Sequence, residues 1–149
     1  MTATTRPLTL PKSARLHHSS LTGALFAEGK SLYEFPLRLS WRALTEEELR
    51  ANFRLAVPPG IGRTQVLVSV PKKKRRKAVD RVLMRRRIRE AYRLCRPLLD
   101  EALAARPDVR TLSIGFVWLH NENVPYQVVE ERMRSLLGRL ARKLTRQRQ

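Results

Sequence analysis

The chain has 149 residues and a mass of 17.3 kDa, the size of one ordinary domain, whose core can bury roughly 70% of the unfolded surface without staples. Its 31 Lys and Arg against 13 Asp and Glu give a net charge of +18 and a pI near 11.5, which points to a polyanionic partner and away from a neutral metabolic enzyme. A single cysteine excludes an intramolecular disulfide, no apolar run approaches the roughly 18 residues of a membrane span, and the first ten residues carry no signal-peptide core. The expectation is a cytoplasmic protein of a reducing compartment with no membrane partner.

Residues 1–11, rich in Thr and Pro, are expected to be a flexible tail. A short helix follows over Ser20 to Ala27, with Leu21, Leu25 and Phe26 as its apolar positions and Gly29 as its stop. From Tyr33 to Ala43 the residues Phe35, Leu37, Leu39 and Trp41 alternate with polar ones, the period of a strand. Thr45 with Glu48 makes a possible capping box, and Pro58, Pro59, Gly60 and Gly62 end regular structure, so 45–63 reads as an elaborated connection. Gln65 to Val70 reads as a second strand, closed by Pro71.

A long helix comes next. At about 100° per residue, Met84, Ile88, Ala91, Cys95 and Leu98 share one face, while Arg81, Arg85, Arg89, Arg93 and Arg96 gather more than 100° away. Pro97 breaks the helix and suits the first position of a new piece running to Ala105. Thr111 to Leu119 is a third, strongly apolar strand, and 120–125 is a turn. A last helix from Tyr126 to Leu144 carries Val129, Met133, Leu136, Leu137, Leu140 and Leu144 as its buried stripe. The folded part is thus one domain, 12–144, followed by a basic tail, 145–149.

The charge is concentrated. Residues 72–96 hold thirteen basic and two acidic side chains, and 132–149 hold seven basic and none acidic; the rest of the chain is neutral. An arginine face opposite an apolar stripe is the footprint of a helix between a core and a polyanion. Chemistry-bearing motifs are missing: no phosphate-binding GxxxxGK[ST], no GxSxG and no HExxH. Cys95 stands alone on the core face, and His17, His18 and His120 lack ligand-spaced partners, so neither catalytic residues nor a metal site are expected on the chain. Glu46, Glu47 and Glu48 suit a solvated helix start better than paired carboxylates.

The run Lys77-Ala78-Val79-Asp80-Arg81-Val82-Leu83-Met84-Arg85-Arg86-Arg87-Ile88-Arg89-Glu90-Ala91-Tyr92-Arg93 resembles the signature of the bacterial ribonuclease P protein subunit, in which a strand and a basic loop lead into K-A-V-x-R-N-R-x-K-R-x-I-R-E-x-x-R. The resemblance extends outward through Lys12 to Leu16, Leu25 to Ser31, Val68 to Lys72 and Ile114 to Val117, in the family's order from Lys12 to Leu144. Two departures stand out. Val82 and Leu83 replace the asparagine and second arginine of the R-N-R core, and the 45–63 connection is longer than is usual.

The resemblance implies an α/β sandwich: an amino-terminal helix, a small central sheet, a left-handed βαβ crossover carrying the arginine helix, and a carboxy-terminal helix. It implies a subunit that binds the catalytic ribonuclease P RNA and precursor tRNA, assisting removal of the 5′ leader in the cytoplasm. Mg²⁺ and the active site would belong mainly to the RNA, leaving the protein inactive alone and without an obligate protein partner. The RNA-binding residues would be Lys72, Lys73, Lys74, Arg75, Arg76, Lys77, Arg81, Arg85, Arg86, Arg89 and Arg93, and the leader cleft would be lined by Phe26, Arg38, Ser40 and Arg42. The competing reading is a basic ribosomal or other structured-RNA-binding protein without an enzymatic role. DNA binding is disfavoured, for want of a helix-turn-helix pair.

Overall fold

A computed structural model describes residues 14–146. The proposed tail 1–11, Lys12 and the last three residues of the basic tail lie outside the described residues. Helix α1 (Ser19–Glu28) leads into β1 (Lys30–Glu34), β2 (Leu37–Leu44) and α2 (Glu46–Ala51). Then come β3 (Thr64–Ser69), α3 (Ala78–Cys95), α4 (Pro97–Ala104), β4 (Thr111–Trp118) and α5 (Tyr126–Arg146). The four strands form one sheet in the order β1-β2-β4-β3. β1, β2 and β4 pair antiparallel, whereas β3 runs parallel to β4, so α3 and α4 form the crossover between them.

Alternation along the strands divides the sheet into two faces. On one, Leu37, Leu39 and Trp41 meet Val66, Val68, Ile114, Phe116 and Trp118, covered by Met84, Ile88 and Ala91 of α3 and by the stripe Val129, Met133, Leu136, Leu137, Leu140 and Leu144 of α5. Each such side chain, fully buried, contributes about 1.5–3 kcal/mol. On the other face α1 and the 45–63 connection enclose a smaller cluster of Leu16, Leu21, Leu25, Leu44, Leu49 and Ile61. The connection is therefore packed. Thr45 and Glu48 form the expected capping box, with Glu48 N donating to Thr45 Oγ1 at 3.2 Å and Thr45 N to Glu48 Oε1 at 2.8 Å.

Three expectations need correction. The single strand from Tyr33 to Ala43 is a hairpin: Lys30–Glu34 folds back on Leu37–Trp41, and Phe35 lies in the turn, 61% exposed, instead of continuing the buried stripe. Proline at the turn has no N–H for a ladder, which is why the pattern breaks there although its parity does not. Leu98 is not on the core face of the arginine helix, because Pro97 starts α4 and resets the helical phase; Leu99 is buried in its place. The last helix continues past Leu144, and Thr145 Oγ1 donates to Ala141 O at 2.7 Å within it.

Candidate nucleic-acid interface

The loop between β3 and α3 is braced by its own charges. Lys74 N and Arg75 N both donate to Pro71 O, tightening the chain into a turn. Arg75 pairs with Asp80 at 3.0 Å and donates to Asn123 Oδ1 at 3.0 Å and to Asn121 O, while Asn123 Nδ2 donates to Asp80 Oδ1 at 3.0 Å. Arg81 Nη1 reaches back to the carbonyls of Arg75 and Arg76 at 3.0 and 2.7 Å. Arg87 Nη1 donates to Val124 O at 2.5 Å, and Arg93 forms a two-pronged pair with Glu90 at 3.1 and 2.9 Å. Of the sequence-predicted RNA-binding residues, Arg75, Arg81 and Arg93 are thus engaged internally.

The others are free to meet an anion. Among the described residues, no hydrogen bond or ion pair holds the side chain of Lys72, Lys73, Lys74, Arg76, Lys77, Arg85, Arg86 or Arg89. The loop cations border a hollow of about 420 Å³ that also includes Asp80 and Asn121. Partial burial, together with the charges of Arg85 and Arg15, pushes the Arg89 guanidinium below its ordinary value. Cations crowded this closely bind a phosphate chain favourably because the anion relieves their mutual repulsion. Val79 and Val82 stand exposed on the same helix at 70% and 45%, so the departure from the signature asparagine leaves an apolar patch beside the arginines.

On the open sheet face, α1 sets Phe26 over β4. The ring is 41% exposed, and a Cβ on Gly115 would come within 3.1 Å of it and of Leu25, so glycine is what lets the helix lie this close. Beyond Phe26 the face is uncovered. The register aligns Tyr33, Arg38, Val117 and Ser69 across four strands, with Tyr33 58% exposed. Ser40, expected in the cleft, is 1% exposed, and its hydroxyl lies 3.2 Å from that of Ser31. Arg42 pairs with Glu28 of α1 at 3.5 Å. Phe26 and Arg38 therefore line an open groove, Arg42 ties its wall and Ser40 lies beneath it.

The profile of the Ribonuclease P family matches residues 10–141. The chain belongs to that family. The Ribonuclease P protein component, as found in two strains of Porphyromonas gingivalis, is 36% identical to it over 132 residues, covering 89% of this chain and 86% of the relative. The RNase P protein from Thermotoga maritima shares the fold with a TM-score of 0.58 at 22% identity, covering 84% of this chain and 96% of that one. The Staphylococcus aureus RNase P protein does so with a TM-score of 0.58 at 15% identity, over 87% and 96%. Membership makes the chain a protein component of the endoribonuclease that processes tRNA 5′ ends and an associate of ribonuclease P RNA. A ribosomal role is not favoured.

Within the ribonuclease P fold of this chain, sequence reasoning missed Tyr33 and the contribution of Arg15. Both follow from strand pairing: Tyr33 lies opposite Arg38, and Arg15 forms a bridge to Val66 at the β3 edge. The exposed aromatic beside a Glu-Phe-Pro turn is the one local signal that could have pointed to Tyr33. The described residues offer no donor set that would fit Mg²⁺. Among the described residues, no three His, Cys, Asp or Glu side chains cluster, and Asp80 is committed to Arg75 and Asn123.

Proposed function

We propose that the protein acts by holding two RNAs at once: the catalytic ribonuclease P RNA against the loop 72–77 and the free face of α3, and the 5′ leader of precursor tRNA in the groove between α1 and the sheet. The observation that carries this reading is that one chain presents cations without side-chain partners on the loop and α3 and, on the open sheet face, an exposed aromatic on α1. Arginine forks suit phosphate oxygens, and their helical spacing can track a folded backbone without reading bases. A groove with a flat side chain and a guanidinium suits a single strand, whose bases stack while its phosphates pair.

In this reading hydrolysis is performed at the RNA, with Mg²⁺ held there, and the protein supplies no reacting group. Its residues lower the cost of bringing two polyanions together and fix the leader relative to the RNA, which raises the effective concentration of the scissile bond at the active site. Phe26→Ala and Arg38→Ala should weaken binding of precursor tRNA to the reconstituted holoenzyme and leave mature tRNA, which has no leader, unchanged. Phe26 is only partly exposed, so thermal melting of the variant serves as the folding control. Equal losses for both tRNAs would contradict a leader contact.

A further inference from the structure

The β1–β2 hairpin ends in aromatic side chains that the core does not use. Phe35 at the turn is 61% exposed, and its ring lies 5.2 Å from that of His120 at a tilt of 58°. Tyr33, 58% exposed, sits opposite Arg38 on the open sheet face. The backbone beneath them is held firmly. Arg132 Nε donates to Phe35 O at 2.9 Å, Arg139 Nη1 to Tyr33 O at 2.9 Å, and Leu119 N to Pro36 O at 2.8 Å.

Aromatic rings held outward on a fixed backbone, with Arg38 opposite Tyr33 on the open face, match the needs of unpaired bases. The flat faces are in place before binding, so little ordering entropy is lost, and the Arg38 guanidinium on the same face suits a phosphate. The tip also lies at the sheet end where the basic loop begins: Leu37 pairs with Trp118 and Ser69 with Val117. Arg75 of that loop bonds Asn121 and Asn123, in the segment that carries His120. We infer that Tyr33, Phe35 and His120 form a second stacking platform for single-stranded RNA, extending the leader path beyond Phe26. This rests on the leader reading above.

The test is binding of precursor tRNAs, with leaders trimmed stepwise from the 5′ end, to holoenzyme reconstituted with Tyr33→Ala, Phe35→Ala or His120→Ala. Removing a stacking ring should weaken binding of the full-leader precursor about fivefold or more. Mature tRNA should bind as before, and Phe35→Tyr, which keeps a ring, should restore affinity. The penalty should vanish at a leader length different from the one at which the Phe26→Ala penalty vanishes. Thermal melting identifies any variant that fails to fold, and the remaining variants then decide the matter. Equal loss for mature tRNA, no loss at any leader length, or a dimer abolished by Phe35→Ala without a leader effect would each overturn the platform. If Phe26→Ala and Arg38→Ala also show no leader-specific loss, the leader reading itself falls; if they show it and the hairpin variants do not, only the extension falls.

Discussion

Thirteen cations crowd residues 72–96, yet the structure divides them by what their side chains touch. The side chains of Arg85 and Arg89 have no hydrogen-bond or ion-pair partner among the described residues, and the charge of Arg85 adds to the burial that makes Arg89 costly to keep charged. Replacing both with Ala should leave the melting temperature nearly unchanged, since exposed substitutions usually cost within about 0.5 kcal/mol. Binding to the catalytic RNA should weaken, and the slope of log affinity against log salt should shrink by about 0.7–0.9 for each phosphate no longer neutralised. Unchanged affinity and slope in a salt titration would remove this face from the interface. Arg81 lies on the same helix, but its bonds to two loop carbonyls give it a different task. Arg81→Ala should lower loop order, read as faster amide exchange over 74–77, as well as RNA affinity.

At the scale of elements, the helices are joined by arginines that a charge count cannot separate from RNA-binding ones. Arg106, 8% exposed after α4, forms a two-pronged pair with Asp108 at 2.9 and 2.8 Å and donates to Leu144 O near the end of α5. Arg106→Ala leaves that carbonyl without its donor and should cost about 1–3 kcal/mol in denaturant unfolding, whereas Arg86→Ala should cost almost nothing. The helices also share titrating groups. Burial, aided by nearby acidic groups, pushes Tyr126 up to about 12, and burial of Tyr92 pushes its hydroxyl up further. Because these folded values lie above the unfolded value of about 10, their stabilising effect is complete below about pH 10 and is lost as pH rises toward 12. Denaturant unfolding at about pH 9 and about pH 11 should show lower stability at the higher pH, with a smaller difference in Tyr126→Phe. An equal loss in the variant would assign the effect to other groups.

For the whole molecule, the two halves of the sheet do different work. One face carries the core under α3 and α5, so it can stay rigid; the other is covered only partly by α1, leaving a groove. No cluster of three His, Cys, Asp or Glu side chains accompanies the groove among the described residues. In the proposed division of labour, rigorously RNA-free protein should cleave no precursor tRNA. Added to its cognate RNA at moderate Mg²⁺, it should promote one cut at the mature 5′ end, and higher Mg²⁺ should partly replace it by screening phosphate repulsion. Electrophoresis of end-labelled precursor reads both outcomes. Cleavage by the protein alone, or no stimulation at any Mg²⁺ concentration, would overturn the division.

Local periodicity was enough to read α3, α5, β3 and β4, because a helix or strand that buries one face must repeat its apolar residues at 3.6 or 2.0. Pro97 and the Thr45–Glu48 box were legible for the same reason: their effects act within one turn of chain. The excess charge and its placement near the signature helix also needed no fold. β1 was not legible, since Lys30–Glu34 contains one buried apolar residue, Leu32, and exists as a strand only because β2 supplies its hydrogen bonds. The sorting of arginines was hidden as well. Arg75, Arg87 and Arg106 find partners 37 to 48 residues away, and Arg139 finds Glu34 across 105. Only the tertiary structure decides which cations those long-range partners hold and which remain for RNA, because a guanidinium satisfied by a carbonyl and one left bare are the same letter in the chain.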